Sequence, residues 1–315
     1  MGFRIETYAR QHLEGITSLY NAETASEPYI APLTPERLIQ YVERKTYFDP
    51  AGLLVAIESS TVIGWVHACV APGSEPRHDP GEPVARIRML IYPASRLEVG
   101  RVLVSEATDW LRRSGQKVLL AMHSQAGYPF YRGLWLGSEP KCPATMAHLQ
   151  LALEVGGYKT TLESAVMAAE IAAAPGAIPP PRGIELIEAP AEMAHEPMRE
   201  SWDGFEPIRV RAYSGGQELG SLGWVLLPQL AERLGAPCMS IWSMGVKAEH
   251  RRRGIATAML VRAMSQARSQ GARFALVSTQ LWNAPAHATY AKLGFTPYCV
   301  TVGRTLDLWA GERDT

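Results

Sequence analysis

With 315 residues, 47% of them apolar and 20% charged, the chain has an ordinary globular composition and the length for two domains. Its 31 basic and 31 acidic residues cancel, which argues against nucleic acid or an acidic membrane surface as partner. Cys69, Cys142, Cys238 and Cys299 show neither Cys-x-x-Cys nor Cys/His metal spacing. No metal is expected, and the four read as scattered thiols of a cytosolic chain.

The N-terminus, Met-Gly-Phe-Arg-Ile-Glu, lacks the regions of a signal peptide, and no apolar run reaches the roughly 18 residues that span a bilayer, so a cytoplasmic location is expected. A short strand is predicted near Phe3–Tyr8, followed by helical patterns at Gln11–Asn21 and Pro35–Arg44. Alternation over Leu53–Glu58 and Val62–Val70, across Ser59-Ser60-Thr61, predicts a hairpin. Arg86–Tyr92 reads as a strand and Arg96–Ser114 as a helix closed by Gly115. Residues 172–183, Ala-Ala-Ala-Pro-Gly-Ala-Ile-Pro-Pro-Pro-Arg-Gly, form an extended connector, because three consecutive prolines suit neither helix nor central strand. This divides the chain into domains at 1–171 and 184–315.

The second half repeats the order. A strand at Ile184–Glu188 and a helix at Ala191–Trp202 precede strands Ile208–Tyr213 and Leu219–Leu227, which flank Ser214-Gly-Gly-Gln217. The apolar run Ile241–Val246 predicts a buried strand, and Lys247–Ala256 opens a long helical pattern. The strand Phe274–Ser278 and the helix Pro285–Leu293 follow. A strand feeding a glycine-bearing turn and a helix N-terminus makes an anion site, because the first-turn N–H groups lack intrahelical acceptors and the dipole favours negative charge.

The spacing Arg251-x-x-Gly254-x-Ala256 is neither a dinucleotide fingerprint nor a P-loop. Together with Asn283, Tyr290 and Leu293-Gly-Phe295 it resembles the GNAT superfamily of N-acetyltransferases, over roughly the last 130 residues. The resemblance implies two tandem GNAT-like α/β domains, each a mixed, mostly antiparallel central sheet flanked by helices. It implies acetyl-CoA as co-substrate. Backbone groups of Met244, Gly245 and Val246 would then receive the pantetheine arm and thioester carbonyl. Arg251, Arg252, Arg253, Gly254, Ile255 and Ala256 would cradle the pyrophosphate, with Asn283 contacting the arm. Tyr290 would be the general acid toward the departing thiolate. Asn283 reads equally well as a helix cap, and Tyr290 as a core tyrosine bonded through its hydroxyl.

An ungapped pairing of Gly115 with Gly271 sets Leu90 opposite Val246, Ser95 opposite Arg251, Glu98 opposite Gly254 and Gly100 opposite Ala256. Pairing Gly157-Tyr158 with Gly294-Phe295 sets Leu153 opposite Tyr290 and Met146 opposite Asn283. A glutamate facing pyrophosphate, and a leucine in place of the acid, mark the first half as a degenerate copy. It resembles two-domain acetyltransferases, intact in the C-terminal half and eroded in the N-terminal one. The first copy carries an aromatic insertion within 127–140, whose stretch Tyr128–Trp135 is expected to reach a substrate or to form a surface loop.

No general base is evident. A primary amine with pKa near 10.4 is almost wholly protonated at pH 7, so deprotonation must be supplied by a base or a desolvating pocket. Glu206, Asp203 and His250 are candidates, and His287 is as easily a solvent-facing residue. The sequence thus predicts direct acetyl transfer to a small-molecule or peptide amine in a ternary complex, by a monomer or homodimer. The alternative is a non-catalytic acyl-CoA-binding sensor or scaffold.

Overall fold

A tight turn of the same kind joins two consecutive strands in each half. Ser59 and Ser60 adopt φ of 47° and 70°, and Gly215 and Gly216 adopt 55° and 80°. Both are two-residue hairpin turns whose twist matches that of the strands they join. The computed structural model describes residues 2–72, 83–123, 130–138, 141–171, 178–193 and 196–308. Tyr128, with part of the insertion and residues 172–177 of the connector, lies outside them.

In the first half, strand β1 (Arg4–Thr7) leads to helices α1 (Leu13–Glu23) and α2 (Pro35–Leu38), the latter continuing as a π turn over Ile39–Glu43. The hairpin β2 (Leu53–Glu58) and β3 (Thr61–Pro72) is followed by β4 (Pro83–Ile91), α3 (Leu97–Arg112) and β5 (Val118–Ala121). A short β6 (Cys142–Pro143), α4 (Ala147–Val155) and β7 (Lys159–Glu170) complete it. The second half runs β8 (Glu185–Pro190), α5 (Glu196–Ser201), β9 (Ile208–Ser214), β10 (Gln217–Leu227) and α6 (Ala231–Leu234). Then come β11 (Cys238–Val246), α7 (Ile255–Ser269), β12 (Phe274–Gln280), α8 (Ala284–Ala291) and β13 (Thr296–Asp307). Of the helix predicted over Ala191–Trp202, the described residues show α5, while Ala191–Met193 are not helical.

Each half has the expected mixed, mostly antiparallel sheet, but the two sheets are one. The strand order is β1-β2-β3-β4-β5-β13-β7-β12-β11-β10-β9-β8, with β6 paired to β13. β13 from the second half lies antiparallel to β5, and β7 from the first half lies antiparallel to β12. Each half therefore hands its last strand to the other. β7 and β13 pair with each other at the centre, from Thr296 opposite Ala168 to Thr305 opposite Lys159. No sheet edge is left between the halves, so they cannot separate without breaking backbone ladders.

Side-chain alternation sorts the second half into two faces. Val210, Ala212, Leu222, Trp224, Met239 and Ile241 pack with Ile255, Met259 and Met264 of α7. Val225, Leu227, Cys238 and Leu276 instead join the core of the first half. The insertion fills that junction. Phe130, Tyr131, Leu134 and Trp135 are fully buried, contrary to the expectation that this stretch reaches a substrate or forms a surface loop. Trp135 packs edge-on against Tyr20, and the Tyr131 hydroxyl lies 2.9 Å from His67 Nδ1. Buried Arg132 donates from Nε to the Ser201 carbonyl at 2.9 Å, and its guanidinium lies 3.6 Å above the centre of the Trp202 ring. The aromatic run is hydrophobic filling between halves, and burial of such rings is worth more than their exposure on a loop.

Candidate active site

β11 pairs in parallel with β12 from Cys238–Phe274 to Ile241–Val277, and there the ladder ends. Both strands continue, β11 to Val246 and β12 to Gln280, so the sheet splits between them. The split starts where Trp242 forms a bulge. Ile241 faces Trp224 and Ser243 faces Gly223 on β10, leaving Trp242 as the extra residue. A bulge bends a strand and sharpens its twist, which turns β11 away from β12. Met244 and Val246 point to the α7 face, while Gly245 is exposed with open space where a side chain would stand.

After Val246 the chain makes a single turn at Ala248–His250, passes extended Arg251, and enters α7 through Arg252 and Gly254, with φ of 60° and 79°. Gly254 is the N-cap and has no side chain to satisfy the first N–H groups of α7, which stay available to a ligand. The Arg251 side chain ties the turn to its strand by donating to the Val246 carbonyl at 3.0 Å. Arg253 lies 3.3 Å from His250 Nδ1. Arg251, Arg252 and Arg253 are exposed, and among the described residues none pairs with a carboxylate. Three cations beside a helix N-terminus are unfavourable unless an anion joins them, and their donor set fits a diphosphate.

Asn283 caps α8, its Oδ1 accepting from the Ala286 N–H at 3.3 Å. Tyr290, on α8, is 4% exposed and packs 5.7 Å from the Phe295 ring. Burial raises its pKa, so the hydroxyl stays protonated through the neutral range. That hydroxyl has no hydrogen-bond partner among the described residues, so it does not serve as a bonded core anchor.

The fold that carries this arrangement has counterparts. The acetyltransferase (GNAT) family matches residues 181–295. The chain has the fold of tandem GNAT proteins. A tandem GNAT protein from the clavulanic acid biosynthesis pathway is 16% identical with a TM-score of 0.67, over 97% of this chain and 98% of that one. A GCN5-related N-acetyltransferase from Sphaerobacter thermophilus is 14% identical with a TM-score of 0.66, over 97% and 96%. The glucosamine N-acetyltransferase region of a fungal multi-domain β-N-acetylglucosaminidase is 14% identical with a TM-score of 0.67, over 96% of this chain and 38% of that one. These identities carry the fold alone. No curated protein matches the sequence.

Within this tandem GNAT fold the first copy closes the corresponding place. The bulge in β4 falls at Arg88, because His67 faces Met89 and Ala68 faces Ile87. Matching Arg88 to Trp242 sets Tyr92, not Leu90, opposite Val246, so the ungapped pairing slips by two residues along the strand. Tyr92 is fully buried, and a Cβ at Gly100 would lie only 2.3 Å from its ring. The ring fills the space over the first turns of α3, and its hydroxyl donates to the His148 carbonyl. Arg96 is bound by Glu58 and Glu98 and has no charge to spare for a ligand.

The candidate bases stay dispersed. Asp203 is exposed 3.6 Å from Lys45 Nζ, Glu206 is exposed, and His287 Nε2 lies 3.2 Å from the Gln280 carbonyl oxygen. The sequence reading missed a cavity of about 1000 Å³ on the face opposite α7, lined by α5, the turn after it, and Arg209, Arg211 and Glu218 of β9 and β10. Alternation in Ile208-Arg-Val-Arg-Ala already places both arginines on one face, but their neighbours across the sheet become known only from register. It also passed over Trp282, which is 77% exposed immediately before Asn283.

Proposed function

We propose that the chain transfers an acetyl group from acetyl-CoA directly to a primary amine in a ternary complex. The observation that carries this reading is the split between β11 and β12, with the arginine-glycine turn following one strand and α8 with Tyr290 following the other. In this reading acetyl-CoA supplies the acetyl group as a thioester. The turn Arg251–Ala256 and the open first turn of α7 hold the diphosphate. Backbone N–H groups freed at Met244–Val246 receive the thioester carbonyl, a contact worth about 3 kcal/mol in the transition state for one well-placed donor. Asn283 lines the arm while capping its helix, and Tyr290 gives its proton to the departing sulfur.

Cysteine chemistry supports direct transfer. All four thiols are free; burial raises the pKa of Cys69 and Cys238 and pushes Cys142 and Cys299 up to about 12. Such thiols are poor nucleophiles for an acyl-enzyme. Free thiols also fit the cytoplasmic location included in this reading. No helix among the described residues is long and apolar enough to cross a membrane.

The test is thiol release from acetyl-CoA across a panel of amines, with mass measurement of the acetylated product. Amine-dependent release supports the transferase. Tight acetyl-CoA binding with no release for any amine would instead favour an acyl-CoA sensor.

A further inference from the structure

The cavity opposite α7 has a definite relation to the split. Arg209 faces Gly223 on β10, which faces Ser243 on β11; Arg211 faces Ser221, which faces Gly245. Residues paired across a sheet share a face, so both arginines stand on the face of Ser243 and Gly245, about 10 Å away across two strand spacings. α7 and its turn lie on the other face. An acceptor seated in the cavity would therefore meet the acyl group at the split from the opposite side.

The charges around the cavity are unevenly matched. Of its three lining carboxylates, Glu218 lies 3.6 Å from Arg211, Asp203 is exposed 3.6 Å from Lys45, and Glu192 is exposed at the rim beside α5. Arg209 pairs with no carboxylate among the described residues. It donates to Ser221 Oγ at 3.2 Å and lies 4.6 Å over the Trp242 ring. Its half-burial and the nearby Arg211 charge lower its pKa, and Glu218 only partly offsets them. Two further donors lack acceptors among the described residues: the indole N–H groups of Trp202, which is 5% exposed and lines the cavity, and of Trp242, 5.6 Å from it ring to ring. At the Arg209 end a planar guanidinium, fixed on an aromatic ring and free of any carboxylate partner among the described residues, suits a carboxylate or phosphate.

Resting on the transferase reading above, we infer that the acceptor is an amine that also carries an anionic group, carboxylate or phosphate. Arg209 holds the anion at the far end of the cavity while the amine reaches the split near Gly245. The separation of about 10 Å, shortened by the reach of the arginine, favours molecules with amine and anion at opposite ends over those with both on one carbon.

The experiment compares matched pairs: a dipeptide against its C-terminal amide, and an amino sugar against its 6-phosphate. Two readouts are taken for wild type and Arg209→Gln, acetyl transfer and thermal shift by the acceptor alone. In wild type the anionic member of at least one pair should be favoured at least tenfold in kcat/KM, and should raise Tm more than its neutral partner. In Arg209→Gln that preference should fall to within about threefold. The favoured pair tells carboxylate from phosphate. Equal use of charged and neutral members by wild type would overturn the anion assignment and leave the transferase standing. No transfer with any amine, but an Arg209-dependent thermal shift by the anionic members, would overturn the transferase and keep the anion site. No transfer and no such shift would overturn both.

Discussion

Leu153 and Tyr290 hold the same position in two copies of one helix ending. The Leu153 carbonyl accepts from the Tyr158 N–H at 3.0 Å, and the Tyr290 carbonyl accepts from the Phe295 N–H at 3.2 Å. In each case a glycine at positive φ, Gly157 or Gly294, precedes the aromatic donor. Met146 and Asn283 correspond at the other end, capping α4 and α8 with nearly equal backbone angles, though only Asn283 caps with its side chain. The copies therefore differ in chemistry at matched positions: one presents a hydroxyl, the other a hydrocarbon.

Tyr290→Phe removes only that hydroxyl. Since it bonds no described residue, Tm and acetyl-CoA affinity should hold, while kcat falls by about 10²–10⁴ as expected for loss of general acid assistance. Because burial raises the Tyr290 pKa, an alkaline fall in rate below pH 10 would belong to another group. Loss of stability together with affinity, at near-normal turnover, would make the tyrosine structural.

A charge placed in the cradle should mimic the erosion of the first copy. Gly254 sits at φ 79°, where any side chain is strained, so Gly254→Glu mixes strain with charge. Ala256→Glu avoids this, being part-exposed in the first turn of α7. Acetyl-CoA should bind at least tenfold more weakly, about 1.4 kcal/mol, with unchanged circular dichroism. Equal affinity in the folded variant would place the phosphates elsewhere.

Calorimetry should find one acetyl-CoA per chain. Tyr92 occupies the space over α3, and Arg96 is neutralised by Glu58 and Glu98. A second equivalent site would mean that the Tyr92 ring swings out.

The hairpins and long helices were legible because period, turn residues and terminal glycines agreed. Leu53–Glu58 needed no adjustment. The arginine-glycine turn and the Leu153–Tyr290 match were legible for the same reason, being short and bounded by fixed landmarks. Strand exchange was not. β7 and β13 each follow a helix ending in glycine and an aromatic residue, and β5 and β12 offer each of them an equivalent edge, so local pattern cannot say which edge each takes. The two-residue slip at Tyr92 arose because a bulge leaves no mark in hydrophobic periodicity. Residues 130–135 were misread because aromatic content fits a buried plug as well as a surface loop; only their contacts decide.

Arg132 should be a main tie between the halves. Arg132→Met keeps the aliphatic stem but removes the donors to the Ser201 carbonyl, Ser201 Oγ and the Ser138 carbonyl. Leaving these buried acceptors unpaired should cost at least about 2 kcal/mol in denaturant unfolding. Arg132→Lys should recover little, because an ammonium cannot reproduce the fork over Trp202. A change below about 0.5 kcal/mol would show that the contact is idle.

Acid should weaken the first half through His67. This ring is fully buried between Phe130 and Phe48, and burial, with the nearby Arg88 charge, lowers its pKa to about 3. In the unfolded chain the same group titrates near 6.5. Below that value the unfolded state binds a proton that the native state refuses, so stability is full above pH 6.5 and declines as pH falls toward 3. One such histidine takes away about 1.4 kcal/mol between pH 7.5 and 5.5. His123, lowered to about 4 by burial, and His148, also lowered by burial, add to the same slope. His67→Gln should be less stable at pH 7.5, having lost the Tyr131 contact, yet should lose less on acidification than wild type by about that amount. Urea midpoints at the two pH values measure both effects. Equal acid losses in the two proteins would mean that His67 takes up its proton in the folded state.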